Sequence, residues 1–306
     1  MEKANHDILH FSTLEQYVAA LGQESHNPLI EVIDFGNNRK TLTSNRIVCD
    51  FYMVFLKDVK CGDMIYGRQT YDYQAGTLVF IAPGQLYGFR RPDPNIKSRG
   101  KGLLFHPDLL RGTSLAKGIK EYNYFSYEVN EALHLSDHER QTVLECLAHI
   151  SDEADSPIED RHSRRLIVSN LELLLNYCLR FYDRQFSTRS KENADILTRF
   201  ESLLNDYMSS GRARREGQPS VKSCAALLHI SPNYFGDLIK RETGRSASEH
   251  IHSFLINMAK DRIFNPTTSI SEIAYDMGFQ YPQHFSRLFK KATGLSPKEY
   301  REQAHI

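Results

Sequence analysis

Nowhere in these 306 residues is there an uninterrupted apolar run near the eighteen that a membrane span needs. The polar N-terminal stretch, with His6, Asp7, Glu15 and Gln16, lacks the apolar core of a secretory leader. The expectation is a cytoplasmic chain. Cysteine is scarce: Cys49, Cys61, Cys146, Cys178 and Cys224 are odd in number and scattered, with no Cys-x-x-Cys pair. That suits a reducing compartment and argues against structural zinc, leaving buried apolar roles ahead of redox sensing. Also absent are a phosphate-binding glycine loop, a Gly-x-Ser-x-Gly elbow and a His-Glu-x-x-His motif. Net charge is absent too, 38 Lys plus Arg standing against 38 Asp plus Glu. From Lys191 onward the count is about 16 against 13, a mildly basic C-terminal part.

What is present is a duplication. Phe235-Gly-Asp-Leu238-Ile-Lys240-Arg-Glu-Thr243-Gly244 is followed about fifty positions later by Phe285-Ser-Arg-Leu288-Phe-Lys290-Lys-Ala-Thr293-Gly294. Phe, Leu, Lys, Thr and Gly recur at the same offsets, so one small helical module is present twice. In the second copy Ser269 and Glu272 form a capping box ahead of Ile270, Ile273, Ala274 and Met277 at helical spacing. Gly278 ends that helix, and the next begins near Tyr281, burying Phe285, Leu288 and Phe289. In the first copy Ser220 opens a helix, the turn falls at His229-Ile230, and Ser231-Pro232 caps the next, with Tyr234, Phe235, Leu238 and Ile239 apolar. Ser246-x-x-Glu249 and Ser296-x-x-Glu299 start a further helix after each copy. Helix, tight turn, helix with a polar and basic outer face is the helix-turn-helix arrangement, whose second helix enters the DNA major groove.

Residues from about 193 to 304 resemble the DNA-binding domain of the AraC/XylS family of bacterial transcription regulators. The resemblance is carried by Ile273-Ala274, Gly278-Phe279, Phe285-Ser286-Arg287-Leu288-Phe289-Lys290 and Gly294-x-Ser296-Pro297-x-x-Tyr300. It implies an all-α domain of seven helices, beginning with Asp195 to Met208 and joined at the centre by a connector from Ser248 to Ile263. A connector of about fifteen residues is on the order of 22 Å long, able to set two reading helices about one DNA turn, near 34 Å, apart. One protomer would then read an asymmetric site. The candidate DNA-binding residues are Asn233, Gly236, Asp237, Lys240 and Arg241 in the first copy, and Tyr281, Gln283, His284, Arg287, Lys290 and Lys291 in the second. Gln283, His284 and Arg287 are candidates for base discrimination, the lysines and the basic loop Arg212-Ala-Arg214-Arg215 for phosphate. Two departures stand out. His229 occupies the turn position where the family has glycine, at a cost if it is left-handed. Asp237 either accepts a hydrogen bond from cytosine N4 or pairs with Arg241.

The N-terminal part differs in kind. Leu29 to Ile33, Arg46 to Leu56, Met64 to Tyr66, Thr77 to Ile81 and Gly102 to Phe105 are β-branched and aromatic runs without helical period, bounded by turn residues, as in an antiparallel barrel or sandwich. This region resembles the cupin-like sensor domain of many such regulators, Gly76 to Tyr87 being similar to a cupin's second motif. Tyr87 stands where a cupin would place a ligand histidine, and the strand region has no His-x-His pair, so neither a metal nor enzymatic activity is expected. Tyr52, Tyr66, Tyr73, Tyr87 and Arg90 are candidate handles for an organic effector, or else core and rim residues. After the barrel, Ser136-x-x-Glu139 caps a helix, and Asp160 to Tyr182 carries a broad apolar face. By the resemblance these helices pair two protomers; alternatively they only pack on the barrel.

The expected whole is an α+β multidomain chain. An N-terminal cupin-like antiparallel β-barrel with accessory helices spans 1–130, a helical dimerisation or packing segment 131–185, a polar linker 186–192, and an all-α seven-helix double helix-turn-helix domain 193–306. The expected function is a sequence-specific, DNA-binding transcription regulator, modulated by a small molecule in the barrel and acting as a homodimer, without cofactor. Activation would require a surface for RNA polymerase, and no motif identifies one. The alternatives are a ligand-independent DNA- or protein-interaction module with a purely structural barrel, an RNA-binding module, or a cupin-type enzyme.

Overall fold

The β-branched and aromatic runs of the N-terminal half form two five-stranded sheets. The computed structural model describes residues 8–40, 42, 46–57, 63–66, 69–72, 76–90, 99–127, 131–155, 162–188, 190–265 and 267–303. In chain order come β1 (Leu9–Phe11), α1 (Leu14–Ala20), β2 (Ile30–Asp34), β3 (Ile47–Cys49), β4 (Tyr52–Lys57), β5 (Asp63–Tyr66), β6 (Gln69–Asp72), β7 (Thr77–Ile81), β8 (Tyr87–Arg90) and β9 (Gly100–Phe105). The short helices α2 (Pro107–Leu110) and α3 (Ser114–Gly118), then β10 (Leu133–His134), lead to the long helices α4 (Asp137–Ala154) and α5 (Ser163–Thr188). One sheet has the order β1-β3-β8-β5-β6 and the other β10-β7-β4-β9-β2. Among the described residues every strand pair is antiparallel except β1 with β3, where Leu9 to Phe11 run parallel to Ile47 to Cys49. The expectation of purely antiparallel pairing fails there, because β1 is three residues long in a stretch that reads as polar.

Strand β4 is buried almost throughout because both its faces are covered. Met53 and Phe55 join Val79, Ile81, Leu104 and Tyr87 in a core that also takes in Leu14, Tyr17 and Val18 of α1. On the other face Phe80 lies against Tyr124, with ring centroids 4.3 Å apart, and against Tyr182 of α5 at 6.1 Å. Residues 131–185 therefore share one unit with the strands, and the division between units falls between Thr188 and Arg189. Nor does the expected linker begin in coil: α5 runs on to Thr188 and the next helix starts at Ser190. Arg184, two residues ahead of the expected linker, ties β10, α4 and α5 together. Its guanidinium donates to Glu139 Oε2 at 2.7 Å and to the His134 carbonyl at 2.6 Å, while Glu139 completes the capping box of Ser136.

The C-terminal unit is helical: α6 (Ser190–Ser209), α7 (Arg212–Glu216), α8 (Val221–Leu228), α9 (Pro232–Thr243), α10 (Ala247–Ile263), α11 (Ile270–Asp276), α12 (Pro282–Thr293) and α13 (Pro297–Gln303). Short α7 is additional to the seven expected and occupies the segment read as a basic loop. An i,i+4 pair between Arg212 and Glu216 at 2.9 Å, with the Arg212 guanidinium 4.8 Å from the Tyr207 ring centroid, accounts for it. The unit buries Phe200, Leu204, Phe235, Leu238, Leu255, Ala259, Phe285 and Phe289, with Phe200 edge-on to Phe235 at 4.9 Å. Among the described residues no helix is long and apolar enough to cross a membrane.

Candidate nucleic-acid interface

Each helix-turn-helix copy is set by its caps. Ser220 and Ser223 form a reciprocal capping box at the start of α8, and Ser269 and Glu272 do the same for α11. Helix α8 ends at His229, with φ 60 and ψ 41, the one non-glycine residue of positive φ among those described. The backbone thus takes the left-handed turn without a glycine, and His229 carries the local strain. The equivalent turn of the second copy uses Gly278, with φ 82. There a second demand operates: a Cβ would lie 2.6 Å from Gln218 N and 2.7 Å from Gly217 C.

Helix α9 starts at Pro232 behind Ser231, whose hydroxyl accepts from Tyr234 N at 3.1 Å. It buries Tyr234, Phe235, Leu238 and Ile239. Asn233, Lys240 and Arg241 are exposed, and Gly236 and Asp237 are partly exposed. Helix α12 buries Phe285 and Phe289 and leaves Gln283, His284, Arg287, Lys290 and Lys291 exposed. Tyr281 stands at its N-cap, 49% exposed, edge-on to His284 with ring centroids 5.5 Å apart. All eleven residues singled out in the sequence therefore lie on the outer side of α9 or of α12 with its cap. Among the described residues Lys240, Arg287, Lys290 and Lys291 form no ion pair, whereas Arg214 is held by Asp276 at 3.1 Å.

The two copies are fixed to each other by more than the connector. Helix α10, of 17 residues and so about 25 Å long, packs against α9, α11 and α12, while α7 packs on α11. Asp276, at the end of α11, accepts from Arg214 of α7 and, at 3.5 Å, from Arg262 of α10. Arg301 of α13 donates to the carbonyls of Ile263 and Thr268 at 2.6 and 2.7 Å, securing the loop between α10 and α11. Asp276 and Arg301 escape a reading of the sequence because their partners lie far along the chain and no local pattern marks them.

Of the residues singled out in the N-terminal unit, Tyr87 and Tyr52 lie in different layers. Tyr87 is buried in the core, its hydroxyl 3.7 Å from Cys49 Sγ and 3.5 Å from Met53 Sδ. Burial raises its pKa well above the ordinary tyrosine value and pushes the Cys49 thiol up to about 12. Tyr52 stacks on Phe105 at 4.8 Å and meets Phe125 edge-on, in the layer between sheet and helices. Tyr66 lies in β5, in register with Tyr87 of β8, and Arg90 lies in β8, in register with Asp63. Tyr73 lies outside the described residues. Burial also raises the thiols of Cys178 and Cys224, the latter to about 11, so these are poor nucleophiles. Among the described residues no group of three or more His, Cys, Asp or Glu is arranged to hold a metal.

Residues 224–303 match the family model described as a helix-turn-helix domain. The uncharacterized HTH-type transcriptional regulator YijO of Escherichia coli (strain K12) is 31% identical over 147 residues, 48% of this chain and 48% of its own length. The uncharacterized HTH-type transcriptional regulator YfiF of Bacillus subtilis (strain 168) is 26% identical over 306 residues, 97% of this chain and 90% of its own. The chain spans less than half the length of the first curated relatives it matches. Among solved structures, the C-terminal domain of AraT, a response regulator from Geobacillus stearothermophilus, is 29% identical with a TM-score of 0.31, covering 35% of this chain and 84% of that one. The family match, with the doubled helix-turn-helix geometry of α8–α9 and α11–α12, identifies residues 224–303 as a helix-turn-helix domain of the AraC type.

Proposed function

We propose that the protein is a transcription regulator that recognises a specific duplex sequence by laying α9 and α12 in successive major grooves of the same DNA face. The observation that carries this reading is the pair of outward-facing helices held through α10 and the Asp276 clamp as one body. Arg287, whose long guanidinium forms no ion pair among the described residues, is assigned to a guanine edge, and Gln283 to an adjacent adenine. Lys240, Lys290 and Lys291 are assigned to phosphates, where they supply salt-dependent affinity common to all sequences.

The N-terminal unit is assigned the reception of a small-molecule signal. Because Tyr87 and Tyr52 sit in filled layers, the effector contact is assigned to the β5, β6 and β8 part of its sheet, the strands to which Tyr66 and Arg90 belong. An effector acts here only through unequal affinity for two arrangements of the chain. Pairing of two protomers is assigned to α5, whose outer side exposes Leu166 and Leu173, seven positions apart.

Selection of bound duplexes from a random pool, with and without cell metabolites, tests these assignments together. The expected product is one site about two grooves long, and Arg287→Ala should relax preference at a single base pair by about 1–3 kcal/mol. Equal retention of all duplexes would remove sequence-specific reading. Uniform weakening by Arg287→Ala would reassign that residue to phosphate.

A further inference from the structure

Glycine is a poor residue for the middle of a helix, yet α9 carries Gly236 on its outer side. Nothing among the described residues requires it. Gly236 is not among the glycines of positive φ, and a Cβ built on it would meet no heavy atom within 4 Å. Alanine would therefore fit and would steady the helix.

The duplication supplies an independent observation, because equivalent positions of the two reading helices can be compared directly. Opposite Gly236 stands Ser286, whose hydroxyl is folded back onto the Pro282 carbonyl at 3.1 Å. Opposite Asn233 stands Gln283, and opposite Asp237 stands Arg287. At these three positions, in the first half of each helix, the residue of α9 is the shorter one; further on, Lys240 and Arg241 match Lys290 and Lys291. Short reading side chains reach base edges only if the helix backbone comes close to the groove floor, and a missing Cβ at the centre of that side permits such an approach. Longer side chains on α12 reach the same edges from further out.

We infer that α9 docks deeper in its major groove than α12, with a base edge against the bare backbone at Gly236, so that this glycine serves DNA recognition at the expense of helix stability. The inference rests on α9 being a groove-binding helix. Omitting the side chain brings the backbone nearer by roughly one carbon–carbon bond, about 1.5 Å. That distance matters to Asn233 and Asp237, which have no length in reserve.

The test uses the full chain and the duplex it selects. Gly236→Ala should slow amide exchange in α9 about threefold, through improved helix propensity, and should weaken duplex binding about tenfold or more. Gly236→Leu should weaken it further, while Ser286→Ala should change it no more than about twofold. Binding by Gly236→Ala equal to or tighter than that of the unaltered chain overturns the inference. So does faster exchange in α9, which would make the glycine a folding requirement, and so does a loss with Ser286→Ala as large as that with Gly236→Ala. Failure of the reading beneath it has a different signature: the unaltered chain itself would then prefer no duplex over random DNA.

Discussion

Two glycines with nearly the same backbone angle separate the cost of conformation from the cost of contact. Gly278 and Gly294 have φ 82 and 83, but a Cβ on Gly294 meets open space, whereas one on Gly278 strikes the backbone of Gln218 and Gly217. Gly294→Ala should therefore cost only the left-handed penalty, about 1–2 kcal/mol. Gly278→Ala should cost clearly more, because backbone cannot move aside as a flexible side chain can. Urea unfolding of the two variants checks this, and equal midpoints would remove the contact from the account. Both glycines are legible in the sequence as helix stops; the close approach at Gly278 is not, since Gln218 lies in another module. His229 shows the reverse. Its left-handed geometry follows from its place in the duplicate, although its own identity argues against it.

At the level of elements, three helix starts of the C-terminal unit, those of α10, α11 and α13, share one device. Glu249, Glu272 and Glu299 accept backbone hydrogen bonds from Ser246, Ser269 and Ser296 at 2.8, 2.7 and 2.7 Å. Hydrogen bonds from these serines lower the three carboxyl pKa values. The folded-state values lie below the unfolded ones, so the stabilisation is complete above the ordinary glutamate value of about 4.3 and is lost as pH falls through the depressed folded values. Acidification from pH 7 to about 3 should thus lower the unfolding midpoint of the unaltered chain more than that of the triple variant Glu249→Gln, Glu272→Gln, Glu299→Gln. Equal losses would show that other carboxylates carry the acid sensitivity. Capped helices of this kind were readable because cap and period reinforce each other within a few residues. Strands β1, β6, β8 and β10 were not, since runs of two to four residues have no period to read, and β1 and β10 pair with residues distant in sequence. Helix α7 is supported by the Arg212–Glu216 and Arg214–Asp276 ion pairs and a ring contact, which its basic composition disguised as loop.

For the whole molecule, the proposed pairing of protomers turns on the exposed side of α5. Leu166 and Leu173 are 44% and 46% exposed, with half-buried Asn170 and Tyr177 completing the stripe. Sedimentation at micromolar concentration should give a dimer for the unaltered chain and a monomer for Leu166→Glu, Leu173→Glu. A monomeric unaltered chain would limit these helices to packing within the N-terminal unit.

The seam where Gly278 rests on Gly217 and Gln218, with Asp276 gripping Arg214 and Arg262, has a consequence for the genome as well as for the fold. A single flexible tether would let one head follow a displaced half-site, but a joint closed on both sides has no slack. Each inserted base pair carries the second half-site about 3.4 Å onward and about 34° around the axis. Under the proposed function, promoters served by this protein must therefore keep the distance between its two half-sites to the base pair, tolerating changes of letter there far better than changes of length.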